Sequence, residues 1–238
     1  MTAMNPFDYH IITFINQFAR KSDFFDSLVN LFVANNLLKG GVIAMVIWFF
    51  WFDNQGPGQA YRRQILLATL AGTLIAMFLA RVLVHELPYR VRPLYNKELH
   101  FVAPIVDWRT KTLASFADIN SMPSDTATLS LALAVGIFLI SRRVGLLVLA
   151  YVVIFVCIPR IYLGIHNPTD LIAGGLLGTT SVLLTTRPVM LKRFFAPLLT
   201  LSNHHPSGFY ICLFIITSQV SSMFDEFRGI MFFFFHTH

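Results

Sequence analysis

The stretch "NSMPSDTATLSLALA", residues 120–134, places a polar turn directly before an apolar run. Pro123, Ser124 and Asp125 have the composition of a helix start, in which Ser124 would be the N-cap residue. The apolar run continues to Ile140 and resembles a membrane helix in composition. The stretch therefore predicts a helix that begins at a polar surface and then enters a bilayer.

The composition of the whole chain supports a membrane protein. Of its 238 residues, 55% are hydrophobic and 13% are charged, and the mean hydropathy is +0.64. An average soluble domain has about 25% charged residues. A buried core in a soluble enzyme would explain one long apolar run, but this chain has at least five. The net charge is +6, but the chain has no basic tract long enough to predict nucleic-acid binding.

The apolar runs predict a six-helix transmembrane bundle, and they divide the chain into an N-terminal region, a membrane domain and a tail. The predicted spans are 40–52, 64–87, 124–140, 144–158, 170–184 and 208–223. We expect residues 1–38 to form amphipathic or partly inserted helices, without a cleaved signal peptide. Residues 39–224 would form the membrane domain, and residues 225–238 a short interfacial tail. The segment 204–210, "HHPSGFY", is expected to be a loop. The aromatic residues of the long 89–120 segment favour an ordered loop.

Basic residues predict the orientation of these spans. One set falls in alternate loops on a single side, which the positive-inside rule makes cytoplasmic: Arg62, Arg63, Arg142, Arg143, Arg187, Lys192 and Arg193. The loop at 89–120 and the junction at 160–170 then face outward. Basic residues in these outer segments run against the rule, so we expect them to have another purpose.

The junction "PRIYLGIHNPTD", residues 159–170, predicts a phosphate site. Asn167 and Pro168 resemble a helix start, which brings His166 and Asp170 together near the helix N-terminus. An aspartate bonded to one ring nitrogen would fix the tautomer and leave the other nitrogen free to attack. With Arg160 nearby, the helix N-terminus is suited to a phosphate. A surface histidine beside a capping aspartate is the alternative.

Two further stretches carry candidate anion ligands. In "HELPYRVRPLYN", residues 85–96, Arg90 and Arg92 form either an anion clamp or an interfacial anchor of snorkelling arginines. At the start of the third span, Ser124 and the first free backbone N–H groups would bind an oxyanion, or Ser124 is a simple cap.

Together, the order and spacing of these stretches resemble the phosphatidic-acid phosphatase type 2 superfamily. Its three motifs are Lys-x6-Arg-Pro, Pro-Ser-Gly-His and Ser-Arg-x5-His-x3-Asp. This chain has Arg-Pro at 92–93, Pro-Ser at 123–124, and the arginine, histidine and aspartate of the third motif at 160, 166 and 170. The resemblance covers residues 60–190 and is most specific in the third motif.

The resemblance implies a membrane bundle with its site at the outer rim, and it implies neither a metal nor another cofactor. His166 would be the nucleophile that forms a phosphohistidine, and Asp170 would orient it. The phosphoryl oxygens would be held by arginines and by Ser124 with nearby backbone amides. The arginines would then supply the charge stabilisation that a metal would otherwise give. The predicted phosphate ligands are Arg92, Arg160, Ser124, His85 and Arg90.

The chain departs from the family pattern at three places. His85 stands in place of lysine, Pro159 in place of serine, and Asp125-Thr126 in place of Gly-His. The family histidine is thought to protonate the leaving oxygen, which is worth roughly 10²–10⁴-fold in rate. An alcohol leaving group has a pKa roughly as high as that of water and needs that proton. A phosphate leaving group, with a second pKa of about 6, needs much less help. Asp125 is a candidate substitute acid.

These departures favour a diphosphate substrate, and "Pro-Ser-Asp" resembles the bacitracin-resistance branch, which hydrolyses undecaprenyl diphosphate. The first hypothesis is a bacterial inner-membrane polyprenyl-diphosphate phosphatase with its active site facing the periplasm. The second is a phosphatase or phosphotransferase acting on another lipid phosphate, such as phosphatidic acid, phosphatidylglycerophosphate or lipid A. The third is a non-catalytic descendant that binds lipid phosphates. The sequence predicts no oligomeric state.

Overall fold

The computed structural model describes residues 4–53, 58–105 and 120–223, and this part of the chain is helical without a β-strand. Two short helices, α1 (Pro6–Asn16) and α2 (Asp23–Ala34), precede α3 (Leu37–Phe52) and α4 (Gln59–Glu86). Then come α5 (Asp125–Ile140), α6 (Arg142–Tyr162) and α7 (Pro168–Thr185). The last two are α8 (188–204) and α9 (Pro206–Ser221).

Helices α4, α5 and α7 form the centre of the bundle, and small residues let their backbones approach closely. A Cβ atom at Gly72 of α4 would lie 2.5 Å from Oγ1 of Thr185 on α7. The same Thr185 hydroxyl donates a 2.9 Å hydrogen bond to the carbonyl of Ala68. Gly136 of α5 packs against Thr69 of α4 in the same way. Such small-residue contacts are typical of membrane helices, which gain little from hydrophobic burial against each other.

Two helices in the described ranges are long and apolar enough to cross a membrane: α4 and α6. The pair α2 and α3, bent by 66°, would make a third if it forms one broken span. Helices α5 and α9 have 16 residues each, which gives about 24 Å of length against a hydrocarbon thickness of about 30 Å. Helices thus lie over the six predicted spans, and the count of six membrane spans stays a prediction.

The chain alternates direction through the central helices and so separates two ends of the bundle. Helix α4 begins near Arg62 and Arg63, and α6 begins at Arg142. The opposite end holds the loop after α4, the start of α5 and the α6–α7 junction. There the amide of Leu94 donates a 3.0 Å hydrogen bond to the carbonyl of Gly164.

Two regions near the C-terminus differ from the sequence prediction. Residues 188–204 form α8, where we expected a connecting segment, because their apolar residues are interrupted by Lys192 and Arg193. The expected loop at 204–210 is wrong, since Pro206 starts α9. Proline has no N–H to lose in the first turn, so Pro-Ser-Gly is compatible with a helix start. The aromatic residues Trp108 and Phe116 and the tail at 225–238 lie outside the described residues.

Candidate functional site

Four segments converge at the end of the bundle opposite Arg62 and Arg142. They are the loop 89–96, the turn before α5, the last turn of α6 and the junction leading into α7. Backbone hydrogen bonds join them, from the amide of Ser121 to the carbonyl of Arg90 at 3.2 Å and from the amide of Ser124 to the carbonyl of Asp170 at 3.1 Å. Gly164 allows the turn after α6 because its φ is +70°, a conformation in which a side chain would be strained. The three motif stretches therefore meet at one place.

His166 is held by a backbone carbonyl. Its Nδ1 lies 3.0 Å from the carbonyl oxygen of Ser121. Because a carbonyl only accepts hydrogen bonds, Nδ1 carries the proton and Nε2 carries the lone pair. No hydrogen bond from Nε2 is found within the described part of the chain. Nε2 therefore has the chemistry of a nucleophile.

Asp170 lies beside His166, but the Ser121 carbonyl is the closer partner of the ring. Nδ1 of His166 is 3.8 Å from Oδ2 of Asp170, which is within ion-pair range but too long for a hydrogen bond. Burial lowers the pKa of His166 below its usual 6.5, as do Arg92 and Arg160, while Asp170 acts in the opposite direction. The ring is therefore neutral at pH 7, as a nucleophile must be.

Asp170 is fully buried and is bonded on both oxygens. Oδ2 accepts hydrogen bonds from the backbone N–H of Asn167 at 2.7 Å and from its side-chain amide at 3.0 Å. Oδ1 accepts from Nη1 of Arg90 at 2.8 Å. The capping box predicted by Asn-Pro-Thr-Asp is present, and it fixes Asp170 at the start of α7.

Arg92 and Arg160 are buried beside His166. Nη1 of Arg92 donates to the carbonyl of Ile165 at 2.8 Å, and Nη1 of Arg160 donates to the carbonyl of Val156 at 2.7 Å. Backbone carbonyls of α6 and of the α6–α7 junction thus hold the two guanidinium groups in place. Burial lowers the pKa of Arg92, and Asp170 and Asp125 partly offset that effect. A guanidinium stays protonated in proteins, so both groups bring positive charge into the site.

The start of α5 presents three polar side chains. Ser124 is the N-cap residue, but its hydroxyl makes no capping bond, and its fully buried Oγ has no hydrogen-bond partner among the described residues. A simple cap therefore does not explain Ser124. Thr126 accepts a 3.1 Å hydrogen bond from Nη2 of Arg160. Asp125 contacts the guanidinium of Arg81, one turn before His85 on α4.

The remaining predicted ligands occupy other positions. His85 is exposed in the last turn of α4, and in the described ranges no hydrogen bond or ion pair joins it to the other candidate residues. Arg90 is bonded to Asp170 and, through Nη2, to Asp8. Sequence reasoning missed Asp8 and the carbonyl of Ser121, because neither belongs to a motif. Asn167 was expected only as a cap. In the described ranges no group of three or more His, Cys, Asp or Glu side chains could hold a metal ion.

The fold and this site define an α-helical membrane protein with a histidine and arginines gathered at one end of its bundle. The chain belongs to the PAP2 superfamily, whose members are phosphatases and phosphotransferases, and residues 97–194 match that family. It is 30% identical over 211 residues to lipid A 1-diphosphate synthase of Escherichia coli (strain K12). The aligned residues cover 84% of this chain and 85% of that protein. No solved structure matches the chain.

Proposed function

We propose that this protein removes the terminal phosphoryl group of a polyprenyl diphosphate, with undecaprenyl diphosphate as the expected substrate, through a phosphohistidine on His166. The observation that carries the proposal is the state of the His166 ring. Nδ1 is bonded to the Ser121 carbonyl, which leaves the Nε2 lone pair available. Two buried arginines, Arg92 and Arg160, lie beside the ring and would bind the phosphoryl oxygens.

In the first step, Nε2 of His166 attacks the terminal phosphorus, and an N–P bond forms. The bond from that phosphorus to the bridging oxygen breaks, and its electron pair leaves with the polyprenyl monophosphate. Water then attacks the same phosphorus, the N–P bond breaks, and inorganic phosphate leaves with the proton from the water. Nδ1 keeps its proton throughout. Arg92, Arg160 and the Ser124 hydroxyl would stabilise the charge on the transferring group, because preorganised donors act most strongly in a buried site.

The residues around Thr126 favour a phosphate rather than an alcohol as the leaving group. The threonine hydroxyl is bonded to Arg160 and cannot replace the acid function of a histidine. Asp125 pairs with Arg81, which is the arrangement of an ionised carboxylate and does not favour the predicted role as a substitute acid. A phosphate leaving group needs little protonation because its second pKa is about 6. These features support a diphosphate over a monoester.

A second function is phosphoryl transfer to a phosphate monoester group of another lipid, such as lipid A. In the second step an acceptor oxygen attacks the phosphohistidine and the N–P bond breaks. Water would need a base to remove its proton, whereas a phosphate monoester is already an anion and needs none. The lack of a histidine at Thr126 therefore suits a phosphate acceptor, and the name of the E. coli relative describes the synthesis of a lipid diphosphate.

We place the protein in the bacterial inner membrane, with the site facing the periplasm. Arginine-rich helix starts at Arg62, Arg63 and Arg142 lie at the end of the bundle opposite His166. The positive-inside rule makes the arginine-rich end cytoplasmic. Lipid phosphates of the outer leaflet would then reach His166 laterally from the bilayer.

The test is a substrate panel with purified protein. It compares undecaprenyl diphosphate with phosphatidic acid and phosphatidylglycerophosphate, each with and without lipid A and each with and without EDTA. We expect phosphate release or transfer only from the diphosphate, with EDTA present, and loss of activity in His166→Ala. The matched control is His204→Ala, an exposed histidine whose ring nitrogen Nδ1 lies 2.9 Å from the carbonyl of Thr200 in its own helix.

Three outcomes would contradict parts of this proposal. Activity confined to monoesters would refute the leaving-group argument. Equal activity of wild type and His166→Ala would refute the phosphohistidine. Tight binding of undecaprenyl diphosphate without turnover, unchanged in Thr126→His, would instead support a non-catalytic lipid-phosphate-binding protein.

A further inference from the structure

A carboxylate from the N-terminal helix reaches the candidate site. Asp8 lies in the first turn of α1, and its side chain is fully buried. Oδ1 accepts a 2.9 Å hydrogen bond from the backbone N–H of Thr169, and Oδ2 accepts a 2.7 Å bond from the Thr169 hydroxyl. Oδ2 also contacts Nη2 of Arg90. Asp8 thus satisfies one of the free N–H groups in the first turn of α7 from a separate helix.

Arg90 connects Asp8 to the carboxylate beside His166. Nη2 of Arg90 contacts Asp8, and Nη1 donates to Oδ1 of Asp170 at 2.8 Å. One guanidinium therefore spans two fully buried carboxylates, and buried charges of this kind require such pairing. The Arg90 side chain itself is 26% exposed. Without Asp8 it would have room to turn toward solvent or toward a bound phosphate.

Helix α1 and the segment after it are held against the outer loop by further polar contacts. The side-chain amide of Asn16 donates to the carbonyl of Val102 at 2.7 Å and accepts from its N–H at 2.9 Å. Nε of Arg20 donates to the carbonyl of Ala103 at 2.8 Å. These contacts orient α1, so that Asp8 points at the start of α7.

We propose that Asp8 is a positioning residue of the active site, acting through Arg90 on Asp170 and hence on His166. This inference rests on the proposed function, because it assigns Asp8 to the same phosphoryl transfer. Asp8 holds the Arg90 guanidinium and also the first turn of α7, which carries Asp170. The N-terminal helix is therefore a part of the catalytic unit and not only a membrane-surface element.

The test is a double-variant cycle with Asp8→Asn, Arg90→Gln and the combination of both. Asparagine is similar in size to aspartate but removes the charge that holds Arg90. We expect Asp8→Asn to lower kcat by up to about 10²-fold with little change in KM, as for a small misplacement of a catalytic group. In the Arg90→Gln background the same change should lower kcat no further, because asparagine can still accept from the Thr169 N–H and removes only the charge that acts through Arg90.

Two variants separate positioning from folding. Asp8→Glu keeps the charge and is expected to recover most of kcat. Asp23→Asn alters an exposed acid near the start of α2 and should leave kcat unchanged. Multiplicative losses in the double variant would overturn the proposal. So would an Asp8→Asn protein that unfolds more easily while its folded fraction keeps the wild-type kcat.

A spectroscopic readout separates this proposal from the proposed function. The ring nitrogens of His166 are observed by ¹⁵N NMR and assigned with His166→Gln. We expect Asp8→Asn to shift these signals in the wild-type background but not in the Arg90→Gln background. Wild-type protein that turns over no lipid phosphate would refute the function alone. Unchanged ring signals in Asp8→Asn would refute the positioning role.

Discussion

The close contact between α7 and the start of α5 leads to a quantitative prediction for Gly174→Ala. Gly174 lies one turn after Asp170, and an added Cβ would be 2.5 Å from the carbonyl oxygen of Ser124. A carbon–oxygen contact needs about 3.3 Å, so the two backbones must separate by about 0.8 Å. The segment that would move contains Ser124, whose amide bonds to the carbonyl of Asp170.

The displacement is large on the scale of catalysis. A misplacement of about 1 Å can reduce a rate by about 10²-fold, so we expect kcat/KM of Gly174→Ala to fall by roughly that factor. Overpacking costs about 1–3 kcal/mol of stability. The better helix propensity of alanine offsets about 1 kcal/mol of that cost. The protein should therefore fold and lose activity far more than stability.

Gly175→Ala is the matched control. Its Cβ would also meet an atom at 2.5 Å, but that atom is Cδ1 of Leu131, the end of a flexible side chain. Phosphate release from undecaprenyl diphosphate is measured for both variants, with thermal unfolding in detergent as the check on folding. If both variants fold and have the same kcat/KM, the close approach at Gly174 does not set the geometry of the site.

Further variants and conditions test the charges around the site. Arg81→Ala should raise KM, because it removes the positive charge that contacts Asp125 at the start of α5. His85→Lys in that background should restore binding, and a double variant with the same KM as Arg81→Ala would refute this. Because burial lowers the pKa of His166 in the free protein, its neutral form persists below pH 6.5, so the acid limb of kcat/KM should lie below pH 6.5. The same shift makes the folded state lose stability as pH falls below 6.5, where the unfolded chain binds the proton more readily; an acid limb above pH 7 would contradict it. Thr126→His should add activity on phosphatidic acid, measured as phosphate release, and no gain would count against the leaving-group argument.

The motif residues of the site could be located from the sequence because their chemistry is local. The spacing from Arg160 through His166 to Asp170 joins a helix end, a short junction and a capping box, and sequence rules describe each of these. The predicted spans coincide with helices, since the composition of a segment shows whether it favours a bilayer. Helix α8 was missed because charged residues interrupt its apolar pattern.

Only the tertiary structure decided how those residues are paired. Ser121 bonds the His166 ring across 45 positions in sequence, and Asp8 reaches Thr169 across 161. No sequence period relates such residues, because their contact depends on how separate helices dock. The same docking assigns Arg90 to two carboxylates and leaves the Ser124 hydroxyl without a partner among the described residues. The sequence by itself determined that the chain has apolar helices and the motifs of a phosphatase family. Helix packing decided which residues hold His166 and Arg90 in place.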